Sequence, residues 1–437
     1  MSAGAWLRER VGARRVFYGW YIVWAGLISN IFTIGITAWG FGVLIEQFRK
    51  EFSWSVKAIA LGYSIRSFET GVLSPVTGYM NDRLGPRRTA IIGTALMGIA
   101  LLLFSKVNGL PLYFTASALL AFGQSIGGLS AYTRAVMAWF VKKRGRAVGL
   151  MNTGNALGYF APVIMASIVA ALGWREALVI CGFVVIAVGV PLAFVVRDTP
   201  ESMGLLPDGE QATLGSGAGT AGRRTPQSGT GLEVKEALKT PAFYLLLLAG
   251  GVEGFSHGPW VTFNIPHLQT AGYSVQAAGL IVAGYGLVQV PLRFGASVLA
   301  DAVGRRRLYI ASYVIQAAGL VSFAFMSPTR LWLVPIYWLT MGMAHAGLIA
   351  GRDSVVADYF GTKRFGTLRG LRQAMLLPVS ILAPLFMGAM FDNTQSYRVG
   401  FMVLALVGVT GALWLGLIRR PLWKDIEIQP VLDQAAK

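Results

Sequence analysis

Residues 289–307 read QVPLRFGASVLADAVGRRR, and this stretch decides the fold. It carries a lone arginine in an apolar run and then a basic turn that the chain contains twice. The earlier copy is GYMNDRLGPRR at 78–88. The matching residues are Asp82, Gly85, Arg87 and Arg88 in the first turn and Asp301, Gly304, Arg306 and Arg307 in the second. The copies lie half a chain apart, which predicts two homologous halves.

The composition around this stretch is that of a membrane protein. Of 437 residues, 54% are hydrophobic and 13% are charged, which is about half the charged share of a soluble domain. A helix needs about 20 apolar residues to cross a bilayer. Twelve such runs lie near 17–45, 54–80, 89–107, 111–140, 147–172, 175–197, 241–268, 275–300, 307–327, 331–360, 366–390 and 398–418. We predict an all-α membrane protein with twelve transmembrane helices in two six-helix pseudo-symmetric halves.

The segment between the sixth and seventh runs has a different composition. Residues 198–240 contain GSGAGTAG and TPQSGTG, which is typical of a flexible linker. We therefore predict an N-terminal six-helix half at 1–197, a flexible linker at 198–240, and a C-terminal six-helix half with a tail at 241–437.

The basic residues indicate how the chain is oriented. The net charge is +18, but the lysines and arginines lie in short clusters between apolar runs and form no basic domain. We therefore expect no nucleic-acid partner. Because cytoplasmic loops are enriched in Lys and Arg, we predict a multi-pass protein of the inner (plasma) membrane with both termini and the linker in the cytoplasm. We expect it to be a monomer in the lipid bilayer.

Several enzyme signals fail in their context. The sequence GQSIG at 123–127 matches a hydrolase nucleophile motif, but it lies inside an apolar run where the required strand and turn are absent. The chain has no phosphate-binding GxxxxGK[ST] motif. Cys181 is the single cysteine, and the three histidines lack ligand spacing. We therefore expect no enzyme, no cofactor and no metal site.

Arg293 is the first candidate for a binding residue. A charge at the bilayer centre costs about 2.5–3.5 kcal/mol, so such a residue usually faces a cavity or a partner and has a function. A guanidinium also matches the planar geometry of a carboxylate. The alternative is an ion pair that only holds the predicted eighth helix in place.

Titratable side chains occur in two other predicted helices. Arg66 and Glu69 are three residues apart on one helical face. They form either a structural ion pair or a site where Glu69 takes up a proton when Arg66 is drawn away. Glu253 and His257 begin a polar stripe in the predicted seventh helix, which continues through Trp260 and Asn264. Because polar groups are costly against lipid, we expect this stripe to face a cavity.

The repeated turn resembles the loop signature of the major facilitator superfamily. Three further stretches are similar to bacterial monocarboxylate transporters and oxalate/formate exchangers: FYGWYIV at 17–23, WFVKKRGRAVG at 139–149 and ADYFGTKRFGTLRG at 357–370. In those relatives an arginine eight residues before the aspartate of helix eight binds the substrate carboxylate, and Arg293 occupies that position. The resemblance also implies a conformational latch formed by Asp82, Arg83, Arg87, Asp301 and Arg306, although these residues are also compatible with solvated loop charges.

The chain departs from this pattern in two places. Many animal monocarboxylate transporters have an aspartate where Gln289 stands, and the oxalate exchangers have a lysine in helix eleven that residues 374–381 lack. The proton carrier must then be another residue, for which Glu69, Glu253 and His257 are the candidates. We predict substrate contact by Arg293, His257, Asn30, Arg66 and Gln289, while Asn30 could instead only join neighbouring helices.

These observations predict a secondary active transporter of a small organic anion, with a monocarboxylate as the expected substrate. Transport would occur by proton symport or anion exchange with alternating access. Two alternatives remain. One is a proton-coupled drug efflux carrier. Such carriers usually have a proline after the second glycine of a GxxxG motif in helix five, and Gly158 is not followed by proline, which disfavours this alternative. The other is an anion sensor that does not transport its ligand.

Overall fold

The computed structural model describes residues 17–72, 74–141, 143–209, 231–361 and 363–418. Within these ranges the side chains of 69–72, 74–78, 81, 82, 294, 297, 301 and 353 are not described. The regular structure in the described ranges is helical, apart from an isolated bridge between Gly231 and Gly361. The predicted all-α class is confirmed.

Twelve long helices form two halves of six. The N-terminal half contains α1 (Gly19–Phe52), α2 (56–84, without Leu73), α3 (86–105), α4 (Leu110–Trp139), α5 (Arg144–Leu172) and α6 (Trp174–Val195). The C-terminal half contains α7 (Pro241–Thr270), α8 (Val275–Val303), α9 (Arg305–Ala324), α10 (Leu333–Phe360), α11 (Phe365–Thr394) and α12 (Tyr397–Leu417). Among the described residues, ten helices are long and apolar enough to cross a membrane. The other two are α2, which carries Arg66, and α7, which carries Glu253.

The repeated turns have the same backbone conformation. Gly85 has φ +78 between α2 and α3, and Gly304 has φ +95 between α8 and α9. L-residues with a side chain rarely adopt positive φ, so glycine is required at both turns. We call the face that contains these turns and the predicted linker the linker face, and the other end of the bundle the opposite face.

The beginning of the predicted linker packs on the N-terminal half. The Asp198 carboxylate accepts a hydrogen bond from Arg87 N at 3.0 Å, just after the Gly85 turn. The Asp208 carboxylate accepts from Val141 N at 3.0 Å and Lys143 N at 3.2 Å, before α5. The Asp198 carboxylate therefore binds an amide at the start of α3, and the Asp208 carboxylate binds amides in the turn that leads into α5, as a capping residue does.

The end of the predicted linker packs on the C-terminal half. A one-turn helix, Val234–Leu238, begins with a capping box of Glu233 and Glu236. Glu233 also forms salt bridges with Lys363 at 3.2 Å and Arg364 at 3.0 Å in the α10–α11 turn. The side-chain hydrogen bonds from Arg364 and Lys363 lower the pKa of the Glu233 carboxyl. Residues 210–230 lie outside the described residues, so the flexibility of the segment and its boundaries stay predictions.

The two halves are in contact toward the opposite face. The Asp392 carboxylate in α11 accepts hydrogen bonds from Val56 N at 2.8 Å and Lys57 N at 3.0 Å, at the start of α2. Ser64 Oγ donates to Ile381 O at 2.7 Å along the same pair of helices. A Cβ added at Gly388 would lie 2.8 Å from Lys57 Cα, so only glycine allows this approach.

A second pair of helices, α5 and α8, also joins the halves. A Cβ at Gly279 would lie 3.1 Å from Val163 Cα, and one at Gly286 would contact Tyr159. The Tyr159 ring lies edge-on to Tyr285, with centroids 5.2 Å apart. These contacts hold α5 and α8 close together toward the opposite face.

Candidate functional site

A hydrogen-bonded chain crosses the C-terminal half near the middle of its helices. Tyr285, Gln289 and Arg293 follow at four-residue spacing on one face of α8. Gln289 Nε2 donates to Tyr285 OH at 2.7 Å, and Tyr285 OH is hydrogen-bonded to His345 Nδ1 of α10. His345 Nε2 lies 2.8 Å from His257 Nδ1 of α7. The chain therefore links three helices through groups that can accept and donate protons.

Arg293 lies one helical turn from Gln289, toward the linker face. It is partly buried, and Tyr285, on the same face of α8, lies against Tyr159 of α5 across the interface, with ring centroids 5.2 Å apart. The structure thus brings together three of the predicted substrate contacts, Arg293, Gln289 and His257, on the side of the C-terminal half that meets the other half.

The predicted polar stripe of α7 is buried inside the protein. Trp260 and Asn264 are almost completely buried, and the Trp260 ring lies 5.0 Å from Tyr285. Glu253, one turn before His257, accepts a hydrogen bond from Tyr309 OH of α9 at 3.2 Å and pairs with Arg352 of α10 at 3.3 Å. The stripe packs against other helices, as polar groups in a span require, and its predicted exposure to a cavity stays a prediction.

The N-terminal half contributes its own cation. Arg66 Nη2 in α2 donates to Thr37 O of α1 at 2.9 Å and to Gln124 Oε1 of α4 at 3.2 Å. Gln124 Nε2 in turn donates to Thr37 Oγ1. The guanidinium also lies 5.3 Å from the Tyr63 ring centroid. Arg66 is therefore held by three helices. The Glu69 side chain lies outside the described residues, so the predicted Arg66–Glu69 pair stays a prediction.

Asn30 lies where two helices of the N-terminal half pack. Its side chain is almost fully buried, and Nδ2 donates to Met151 O of α5 at 3.4 Å. A Cβ added at Gly154 would lie 3.1 Å from Asn30 Cβ. This geometry fits the helix-joining alternative for Asn30.

Three of the predicted latch residues, Arg83, Arg87 and Arg306, have described side-chain contacts. The side chains of Asp82 and Asp301 lie outside the described residues. The Arg83 guanidinium lies 4.9 Å from the Tyr79 ring and that of Arg87 5.4 Å from Phe194. Arg306 donates to Leu415 O at 3.1 Å and Gly416 O at 2.8 Å, which caps the C-terminus of α12. The latch role stays a prediction.

Three residues of the site were missed from the sequence: His345, Tyr285 and Gln124. His345 is 88 positions from His257, and no local pattern links the two. Gln124 belongs to GQSIG, which lies in α4 as expected and whose glycines Gly123 and Gly127 pack closely against α3. The sequence signal that could have identified these residues was the presence of a single polar side chain within an otherwise apolar run. Among the described residues, no group of three or more His, Cys, Asp or Glu side chains is placed to hold a metal.

Both halves contribute arginine side chains, and two of these arginines belong to the half that contains the buried polar chain. Arg66 comes from the N-terminal half, and Arg293 and Arg352 come from the C-terminal half, where Glu253 offsets one charge. Such a surface favours an anion, and the hydroxyl, imidazole and amide groups beside it can pass or hold a proton.

The model of the Major Facilitator Superfamily matches residues 27–276 and 258–430. The chain belongs to this superfamily. A solved structure with the same fold is titled a bacterial homolog of the human lysosomal transporter Spinster in an inward-facing and occupied conformation. The TM-score is 0.71 at 16% identity, over 93% of this chain and 97% of that one.

Three curated relatives are similar over much of the chain. A probable L-galactonate transporter of Escherichia coli (strain K12) is 24% identical over 86% of this chain and 84% of the relative. The probable sulfoacetate transporter SauU of Cupriavidus necator is 25% identical over 84% and 86%. The membrane sensor protein UhpC of Salmonella typhimurium is 28% identical over 58% and 63%.

Proposed function

We propose that this protein is a secondary active transporter of a small organic monocarboxylate, driven by proton symport or anion exchange. The observation that carries the proposal is Arg293, which lies one turn from the Gln289–Tyr285–His345–His257 chain at the interface of the halves. Arg66 adds a second cation from the other half. The relatives named for L-galactonate and sulfoacetate also carry anions, which supports an anionic substrate for this chain.

In alternating access, the arginines and the hydrogen-bonded chain would have different roles. When the halves rock, the distance between Arg66 and Arg293 changes, whereas the hydrogen-bonded chain stays within the C-terminal half. A carboxylate held by Arg293 would alter the electrostatic potential at His257 and His345, so binding and protonation would be linked. In exchange, the return of the empty carrier would be disfavoured because the arginines would lose the charge of the bound anion.

The direct test is uptake of labelled L-lactate and acetate into proteoliposomes. A pH gradient that is acid outside should accelerate net uptake by a symporter, whereas an exchanger requires a preloaded internal anion. Uptake of either kind, saturable and inhibited by other monocarboxylates, is the expected result. Uptake of apolar cations without carboxylate uptake would instead identify the efflux carrier.

A sensor is the second candidate, because the curated relatives include the membrane sensor UhpC. A sensor and a transporter would both show ligand-dependent thermal stabilisation, since any ligand that binds the folded state raises its stability. Only the transporter would move the anion across a sealed bilayer. Stabilisation by carboxylates together with no flux under either gradient would support the sensor.

The membrane orientation follows from the loop charges. We expect the linker face and both termini in the cytoplasm of a cell whose inner membrane holds the protein. A cysteine at Gly217 should react with a membrane-impermeant maleimide only after the cells are opened. Labelling of intact cells would show that the linker face lies outside the cytoplasm and would contradict the predicted orientation.

A further inference from the structure

A cavity that is separate from the central site opens at the opposite face of the C-terminal half. Its volume is about 340 Å³. It is lined by the end of α7, the end of α9 with the loop that follows, and the turn before α12: His267, Thr270, Ala271, Ala324, Phe325, Met326, Ser327, Thr329, Arg330, Gln395, Ser396 and Arg398. All of these residues belong to the C-terminal half.

The cavity is basic. Arg330 and Arg398 both line it, and in the described part of the chain neither forms a salt bridge with a carboxylate. The Arg398 guanidinium lies 3.8 Å from the Phe325 ring centroid, which fixes its position by a cation–π contact. The nearby carboxylate of Asp392 is already bound to the amides of Val56 and Lys57.

The cavity also contains a buried side chain with one unused polar atom. His267 is 3% exposed, and its Nε2 lies 2.9 Å from Phe323 O. A carbonyl oxygen can only accept, so Nε2 carries the proton and Nδ1 is an acceptor in the neutral ring. Nδ1 is buried and has no hydrogen-bond partner among the residues that the structure describes. Unsatisfied buried acceptors are uncommon in native proteins, and His267 lines the cavity, so a donor on a bound ligand would complete the hydrogen bonding of Nδ1.

These features define a ligand by its chemistry. The two guanidinium groups suit a carboxylate or another oxyanion, and Nδ1 requires a hydroxyl that donates to it. Ser327 Oγ and Thr329 Oγ1, which lie 2.9 Å from one another, add further hydroxyls at the rim. We propose that this cavity is a peripheral binding site for a small anion that carries a hydroxyl group, such as a hydroxycarboxylate.

The location of the site determines its role. Because the described lining residues all belong to the C-terminal half, rocking of the halves leaves these walls intact. A ligand that binds both conformations equally cannot shift their populations. The site therefore does not drive the conformational change. It concentrates anions on the opposite face, where two arginines produce a positive potential.

The test uses L-lactate and propionate, which differ by the hydroxyl, as calorimetric titrants of purified protein in a neutral detergent. The matched variants are Arg330→Gln/Arg398→Gln, which changes the peripheral site, and Arg293→Ala, which changes the central site. We expect Arg293→Ala to retain a site that prefers lactate by about five-fold, the effect of one added hydrogen bond. The double variant should lose this site, with affinity at least about ten-fold weaker.

The result would be overturned if the double variant kept the lactate-preferring site, or if Arg293→Ala showed no lactate preference. Both arginines are exposed, so the double variant should keep the melting temperature of the unmodified protein. Loss of transport in Arg293→Ala without loss of peripheral binding separates this site from the proposed transport function. Equal binding of lactate and propionate to the peripheral site would exclude the role of His267 Nδ1.

A phosphatidylglycerol headgroup has the same chemistry, since it carries a phosphate and free hydroxyls. Nanodiscs of phosphatidylcholine with and without phosphatidylglycerol distinguish the two sources. If the anionic lipid competes with lactate, and the double variant retains fewer lipid molecules in native mass spectrometry, the occupant is the headgroup. If lactate binds equally in both bilayers, the occupant is the free anion. If neither binds, there is no anion site here.

Discussion

At the scale of single residues, the central site depends on one guanidinium. Arg293→Ala should reduce monocarboxylate binding by at least about 30-fold, because removing a buried charged contact costs about 2–5 kcal/mol. Arg293→Lys should bind weakly, since lysine keeps the charge but loses the fork of donors. The measurement is ligand-dependent thermal stabilisation of the purified variants in the Arg330→Gln/Arg398→Gln background, which removes binding at the peripheral site.

Arg175→Ala provides the control for the Arg293 series. Arg175 pairs with Glu51 at 2.5 Å near the opposite face, so its loss removes one positive charge outside the site and should leave anion binding unchanged. Native affinity in a well-folded Arg293→Ala would exclude Arg293 as the carboxylate anchor, and Arg66 would be the next candidate. A depressed melting point without ligand would instead support the structural role of Arg293.

The second residue-scale prediction concerns the imidazole pair. His345→Gln can still form hydrogen bonds but cannot take up a proton near neutral pH. Uptake driven by a pH gradient should fall about ten-fold, in line with the loss of one buried interaction of about 1.4 kcal/mol. Counterflow of anion without a gradient should change much less, because it needs no net proton movement.

Tyr285→Phe is a milder substitution to compare with His345→Gln. It removes one hydroxyl from the same hydrogen-bonded chain and leaves both imidazoles in place. It should lower proton-driven uptake less than His345→Gln does. Equal losses of counterflow and proton-driven uptake in both variants would show that the chain only supports packing.

At the scale of helices, the contact between Asp392 and the start of α2 joins the two halves. A side-chain cap at a helix N-terminus contributes about 1 kcal/mol, and this cap exists only while α2 and α11 are together. Asp392→Asn should therefore shift the population toward the conformation that is open at the opposite face, by about five-fold. Reactivity of a cysteine at Ser64 with an impermeant reagent measures the shift.

Asp208→Asn is the matched substitution for Asp392→Asn. Asp208 binds Val141 N and Lys143 N. These hydrogen bonds join the N-terminal half to the segment that directly follows it and do not connect the two halves. Asp208→Asn should lower the melting temperature slightly and leave the reactivity at Ser64 unchanged. An equal change of reactivity in both variants would mean that the effect arises from general destabilisation.

At the scale of the whole molecule, the closure toward the opposite face depends on glycine. The Cβ of any residue at 388 would lie 2.8 Å from Lys57 Cα and 2.9 Å from Lys57 N, and backbone atoms cannot move aside as a flexible side chain can. Gly388→Trp should keep the halves apart at this face. Transport should be abolished while anion binding persists from that side.

Gly366→Trp is the control for Gly388→Trp, because it places the same side chain in the same helix. A Cβ at Gly366 meets nothing within 4 Å, so the added ring should not separate the halves. Normal transport by Gly388→Trp, or equal loss in both variants, would contradict the closure described for α2 and α11.

The sequence by itself determined the fold. Twelve apolar runs, a doubled basic turn and the glycines of that turn required two halves of six helices, because hydrophobic length and positive φ are local properties of the chain. It also selected Arg293 and the α7 stripe, since a charge in an apolar run stands out without knowledge of its neighbours.

Only the tertiary structure decided which groups meet. His257 and His345, and Asp392 and Val56, are far apart in the chain, and their contacts arise from how helices cross and how the halves approach. Helical periodicity specifies the face on which a side chain lies but not the helix that will pack against it. The partners of the polar residues, and the peripheral cavity at His267, followed from that packing alone.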